Sequence, residues 1–192
     1  MIFLGILTWM KVLVRNIVIL AIIGYGVYNT DWFQKKYIYP FPYQDIVYQY
    51  ALERELDPFL VAGVIRAESK FDTKAVSPKG ALGLMQMMPE TAKWVAEQME
   101  KNDFTTAQLE NPEINISMGT WYLASLKKEF KGNEVLMLAA YNGGRGNVKQ
   151  WMGQYAWDMS FHDSKKIPFG ETKKYVDRVL YSKKRYQELY GR

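Results

Sequence analysis

The sequence predicts an all-α domain of ordinary size behind a separate apolar helix at the N-terminus. Three observations predict it. From Tyr43 onward apolar residues recur at helical spacing, while strand-like alternation is scarce. Asp57-Pro58 and Asn111-Pro112 each pair an N-cap with a first-turn proline, and Gly132 and Asn142-Gly143-Gly144 read as stops. A hydrophobic share of 48%, with 15% aromatic residues, is enough for a packed core.

Residues 1–28 carry only two charges, Lys11 and Arg15, and end in the uninterrupted run from Ile17 to Tyr28. As a helix that run reaches only about 18 Å, against a hydrocarbon core of about 30 Å. Extension back to Val12 brings it close to a span if Arg15 snorkels to the interface. Basic residues ahead of an apolar run describe a signal anchor or a cleaved signal peptide, with the N-terminus inside in either case. Gly24-Tyr25-Gly26-Val27 is a poor cleavage site because of its bulky residues, so the anchor is the favoured reading. An ordinary buried helix is the third. The expected location is the cell membrane, single-pass, with the domain on the extracytoplasmic side, or secretion if the segment is removed.

Residues 29–42 form an aromatic, basic connector. Trp32, Phe33, Tyr37, Tyr39 and Phe41 suit either a belt at the membrane interface or the first irregular segment of the domain. The domain, residues 43–192, begins with a helix from Tyr43 to Leu56 that has Ile46, Val47, Tyr50 and Ala51 on one face. A second runs from Asp57-Pro58 to about Ser69, and Pro89 opens a third, with Trp94 and Val95 inward, to about Met99. Asn111-Pro112 precedes a fourth through Phe130, burying Met118, Trp121, Tyr122, Ser125 and Leu126. A fifth covers Glu134 to Tyr141, a short sixth Asn147 to Met152, and the last Glu171 to Tyr190. The stripe of the last helix is Tyr175, Val176, Val179, Leu180, Tyr186 and Leu189.

Composition excludes several chemistries. There is no cysteine, so disulfides, thiolate metal sites and cysteine nucleophiles are ruled out. The single histidine, His162, lies in a loop without an HExxH pattern, and no metal or cofactor is expected. The net charge of +5 falls further once Lys11 and Arg15 are set aside, too diffuse an excess for nucleic acid and compatible with a polyanionic surface.

Glu68 is the candidate for chemistry. Val61, Val64 and Ile65 make an apolar stripe, and Glu68 continues it at i+7 from Val61. A carboxylate on an apolar face is poorly solvated, which raises its pKa and suits it to act as a general acid. If the helix ends there, the same residue is simply exposed. The stretch from this glutamate to the next helix contains Glu68-Ser69 … Ser77-Pro78-Lys79-Gly80-Ala81-Leu82-Gly83-Leu84-Met85-Gln86-Met87-Met88-Pro89. Ser77 to Gly80 has turn chemistry, and Gly83 permits close backbone approach of the kind a sugar groove needs. Gln86 among apolar neighbours must find hydrogen-bond partners if buried. The methionines around it are also compatible with simple core packing.

This segment resembles the signature of the soluble lytic transglycosylase family, goose-lysozyme-like enzymes that cut peptidoglycan. A second family block is similar to Ala140-Tyr141-Asn142-Gly143-Gly144, and a third to Ile167-Pro168-Phe169-Gly170-Glu171-Thr172-Lys173-Lys174-Tyr175-Val176. The blocks occur in family order across residues 43–190. The resemblance implies a lysozyme-like fold, with Glu68 as the catalytic acid/base and Ser77 as a hydroxyl bonding near it. It implies that Gln86, Met88, Tyr141 and Asn142 orient N-acetylated sugars, and that Glu171 is a supporting buried glutamate. On their own, Tyr141 reads as core and Asn142 as a helix stop.

Two-carboxylate hydrolysis lacks an obvious second group, because Asp72 sits in what reads as an exposed turn. One glutamate suits an intramolecular route. Glu68 protonates the glycosidic oxygen, then deprotonates the muramic C6 hydroxyl, which closes on C1 to leave a 1,6-anhydro end. The expected activity is a murein lyase acting between N-acetylmuramic acid and N-acetylglucosamine. A muramidase using water and a non-catalytic peptidoglycan-binding module are the alternatives. Expected partners are glycan strands and, through the N-terminal helix, the membrane, with the chain a monomer.

Overall fold

The structure is a computed structural model and describes residues 2–191, the side chains of 2–8 aside. Two compact units are present, Met1–Phe41 and Pro42–Arg192. In the first, α1 (Ile2–Tyr28) is a single uninterrupted helix. Within it the 20-residue stretch Trp9–Tyr28 has mean hydropathy 1.8 and is unburied, and its length suffices to cross a membrane. The helix runs well past the Val12 limit expected from hydrophobicity because no proline or turn pair breaks it, and Lys11 and Arg15 are carried inside it. The connector is also helical. Asp31–Phe33 (α2), capped by Thr30, leads into a π-helical turn, Gln34–Ile38. Here aromatics pack on one another: Phe33 lies 5.7 Å from Tyr28 and 4.9 Å from Tyr37, and Lys36 sits over the rings of Trp32 and Tyr37.

The second unit is built from α3 (Gln44–Glu53), α4 (Pro58–Glu68), α5 (Pro89–Gln98), α6 (Pro112–Glu129), α7 (Glu134–Gly143), α8 (Arg145–Gln154) and α9 (Gly170–Tyr190). Among the described residues there is no strand, only the isolated bridges Val76–Leu82 and Leu82–Met87. The caps read from sequence are made. Asp57 Oδ1 accepts from Phe59 N at 2.8 Å, and Asn111 Oδ1 accepts from Glu113 N and Ile114 N. Asn133 caps α7 through Leu136 N, while its amide donates to the carbonyls of Met159 and Phe161, so one residue starts a helix and pins the loop behind it.

The buried centre is α4, whose residues from Leu60 to Ile65 are all inaccessible. It lies along α9, and Gly63 is where the two touch: a Cβ there would stand 2.9 Å from Val179 O and 3.2 Å from Lys183 N. Both obstacles are backbone, so relief requires the helices to part. Gly63→Ala is therefore expected to lower stability by about 2 kcal/mol, even though alanine is the better helix former by about 1 kcal/mol. Thermal unfolding of the full chain in detergent micelles checks this, and an unchanged or raised midpoint would contradict the packing argument. At the far end, Lys183 Nζ bridges Asp57 (3.3 Å) and Glu134 (2.6 Å), joining α9 to the starts of α4 and α7.

Two boundaries differ from the sequence reading. Helix α7 continues through Asn142 and Gly143 and stops only at Gly144, whose φ of 89° no side chain adopts comfortably. The sixth predicted helix is longer than Asn147–Met152, because Gly144 restarts the chain directly into α8 and buries Val148 and Trp151.

Candidate active site

Glu68 is the last residue of α4, partly buried, with Val61, Val64 and Ile65 of its stripe fully buried beneath it. The chain then turns sharply through Lys70 and Phe71, both at positive φ. Ser69 fastens this end: its hydroxyl donates to Leu84 O at 2.8 Å and accepts from Phe71 N. The glutamate is thereby tied to the loop 82–87. That loop closes on itself through Leu82 N to Met87 O and Met87 N to Leu82 O, both 3.0 Å.

Asn115 of α6 holds the same loop from below. Its side chain is fully buried, accepts from Met85 N at 2.8 Å, and donates to Leu82 O at 3.0 Å and Leu109 O at 2.8 Å. Gly83 is the complement of this contact. At φ 72° it is buried, and a Cβ would lie 2.3 Å from Asn115 Nδ2 and 2.4 Å from Leu109 O. The close approach that Gly83 permits is thus to the protein's own interior, not to a sugar groove. Above it, Gln86 takes φ 47° and donates from Nε2 to Ala75 O and Gly83 O. Both donations come from the amide nitrogen, so the Oε1 acceptor is not used in them. Met85 and Met87 are core, whereas Met88 is 39% exposed.

A cavity of about 310 Å³ gathers Glu68, Ser77, Gln86, Met88, Tyr141, Asn142 and Glu171. All the residues that the sequence proposed for the site therefore lie around one space. Ser77 opens the turn on its wall: Gly80 N donates to Ser77 O at 2.9 Å, and the Ser77 hydroxyl accepts from Ala81 N. Tyr141 donates to Met85 O at 2.8 Å, so α7 holds the loop one residue on from the carbonyl that Ser69 bonds. Burial and the neighbouring Glu68 carboxyl push its phenol well above the usual range. Glu171 is corrected in one respect. It lines the cavity as expected, but it is exposed rather than buried, because it stands in the first turn of α9, where the helix has just emerged from a loop.

Burial raises the Glu68 pKa from the usual 4.5 to about 7, and Tyr175 and the positive charge of Arg178 oppose the rise only in part. Tyr175, assigned by its spacing to the core stripe, is the residue the sequence reading missed. Its hydroxyl is fully buried beside Glu68 and makes no hydrogen bond within normal limits among the described residues, yet it is close enough to stabilise the carboxylate. The stripe carries two phenols, Tyr175 and Tyr186, and the available signal was that a buried hydroxyl needs a partner. Asp72, by contrast, is exposed and caps Lys74 N in its own turn.

The arrangement is a carboxyl that is about half protonated at neutrality, lining a cavity together with amide, hydroxyl and thioether groups and the carboxyl of Glu171. The transglycosylase SLT domain model matches residues 45–163. The chain belongs to the transglycosylase SLT family. This SLT-family chain is 36% identical over 157 residues to the soluble lytic murein transglycosylase of Salmonella typhimurium, covering 80% of this chain and 24% of that protein. It is also 36% identical over 115 residues to the membrane-bound lytic murein transglycosylase C of Actinobacillus pleuropneumoniae, over 55% of this chain and 32% of the other. The 70-kDa soluble lytic transglycosylase of Escherichia coli has the same fold, with a TM-score of 0.76 at 34% identity over 83% of this chain and 26% of that one. The chain thus spans about a quarter of the length of the soluble relatives it matches. The lysozyme-like all-α expectation agrees with this likeness, and the block Ile167 to Val176 lies just beyond the matched SLT segment.

Proposed function

We propose that this chain is a peptidoglycan lytic transglycosylase. It cleaves the β-1,4 bond between N-acetylmuramic acid and N-acetylglucosamine and leaves a 1,6-anhydromuramic end. The observation that carries the reading is Glu68, a carboxyl with its pKa raised to about 7 that lines a cavity of about 310 Å³. A group poised there can donate a proton to the leaving oxygen and then take one from the C6 hydroxyl of the same sugar. An attacking hydroxyl already on the substrate has the advantage of effective molarity over water. The names of the relatives support the same substrate.

We read Trp9–Tyr28 as a single-pass anchor with the N-terminus inside and the domain outside, a reading supported by the span's unburied apolar surface and by the membrane-bound relative. The aromatic and lysine side chains of Trp32, Lys36 and Tyr37 suit a membrane interface directly after it.

One observation favours a second reading. Glu171 brings another carboxyl to the same cavity, and hydrolysis by a pair of carboxylates would use it to activate water. Product mass separates the two. Full-length chain in detergent, incubated with purified peptidoglycan, is expected to release muropeptides lighter by one water than hydrolytic products. Reducing-end muropeptides would instead assign hydrolysis, and the absence of any product would count against catalysis.

A further inference from the structure

A second cavity, of about 470 Å³, lies against the catalytic one and is lined by Glu90, Thr91, Trp94, Tyr122, Gly144 and Arg145 among others. Their linings come within two residues of each other at two places in the chain. Met88 of the first and Glu90 of the second flank Pro89, and Asn142 and Gly144 flank Gly143. The Tyr122 ring packs on Tyr141 at 5.5 Å. A polymer held at Glu68 therefore has this space as its immediate continuation.

What distinguishes the second cavity is Arg145. Its guanidinium lies 5.7 Å from the centre of the Trp94 ring, and Trp94 is itself braced edge-on by Trp121 at 5.4 Å and by Tyr122 at 6.3 Å. Cation–π contact with a braced indole restrains the guanidinium without using its N–H donors. Its carboxylate neighbour is Glu129, at the limit of an ion pair, 4.0 Å, and Lys149 holds that same carboxylate more closely. The Arg145 side chain is 54% exposed, so its donor fork remains accessible from the cavity. Glu90 adds an acidic group to the lining. The fitting ligand therefore presents a carboxylate together with N–H donors, which is the chemistry of a short acidic peptide rather than of a bare sugar.

We propose that this cavity binds a carboxylate of the peptide branches on the glycan strand, with Arg145 as the recognising group. This rests on the reading of the adjoining cavity as a peptidoglycan site. Recognition here would bias the enzyme toward strands that still carry their peptides.

The test titrates soluble peptidoglycan strands against full-length Glu68→Gln chain in detergent, with and without Arg145→Ala. One set of strands keeps its free peptide carboxylates, and the other has them converted to carboxamides. Amidation is expected to weaken binding by about tenfold when Arg145 is present, the worth of one charge-assisted contact. With Arg145→Ala, both strands should bind alike, at the weaker level. Lys184→Ala, which removes an exposed cation that neither lines the cavity nor touches Glu129, should leave the tenfold difference intact. No effect of amidation, an equal effect with Arg145→Ala, or its loss in Lys184→Ala would overturn the proposal. Wild-type chain run on both strand types is read separately: absence of cleavage there defeats the catalytic reading, while the titration still decides the role of Arg145.

Discussion

Glu68→Gln is expected to lower turnover of peptidoglycan by about a thousandfold or more, the scale of a general acid/base that acts in both halves of a reaction. Glutamine keeps the shape and the polar surface of the side chain but has no proton to give. Strand binding should therefore survive, and the loss should appear in kcat rather than in KM. Retained turnover in the variant would remove Glu68 from the mechanism. In the wild type, the acid form is needed to begin the reaction, so kcat/KM should fall as pH rises past about 7, where Glu68 ionises.

The same substitution has a consequence for stability, with a definite sign. The folded-state pKa of about 7 lies above the usual 4.5, so between those values the folded chain binds the proton and the unfolded chain does not. Stability from this group is complete below pH 4.5 and is lost as pH rises through 7. At pH 8 the wild type should be less stable than Glu68→Gln by up to about 3 kcal/mol, and the difference should disappear near pH 4. Unfolding midpoints of the two full-length chains across that range measure it directly. A gap that did not change with pH would mean that Glu68 is solvated in the folded protein.

Asn115→Ala is the second large effect. It removes one acceptor and two donors that serve the buried backbone groups of Met85, Leu82 and Leu109. Those groups lose their partner in a largely buried setting, and the expected cost is about 3 kcal/mol. Because the loop 82–87 also anchors Ser69 and Tyr141, the loss should spread to the site. Amide exchange at Met85 should accelerate, and kcat should drop even where the chain remains folded. Normal exchange at Met85 would show that the loop keeps its shape without Asn115.

Much of the domain is legible in its local chemistry. The Asp57-Pro58 and Asn111-Pro112 caps, the stripe of α9 and the turn at Ser77 to Gly80 depend on neighbours within a few residues, so a linear reading reaches them. The position of Glu68 on the apolar face of α4 belongs to the same class. Boundaries set by competition are less legible. Asn142-Gly143 is a strong breaker in isolation, yet α7 keeps it helical because the last turn is held between the loop bond of Tyr141 and the packing of Gly143 on Thr172 and Trp151.

Sequence by itself therefore determined the all-α class, the apolar first helix, the three motif blocks and the choice of Glu68. Only the tertiary structure decided that those blocks surround one cavity, that Gly83 is a seat for Asn115, and that Glu171 stands exposed on the wall. It alone set Tyr175 beside the acid and Arg145 in a cavity of its own. The reason is range. Helix periodicity and caps are fixed by residues one to four positions apart, whereas the polar partners of a buried side chain come from whichever element the fold lays against it.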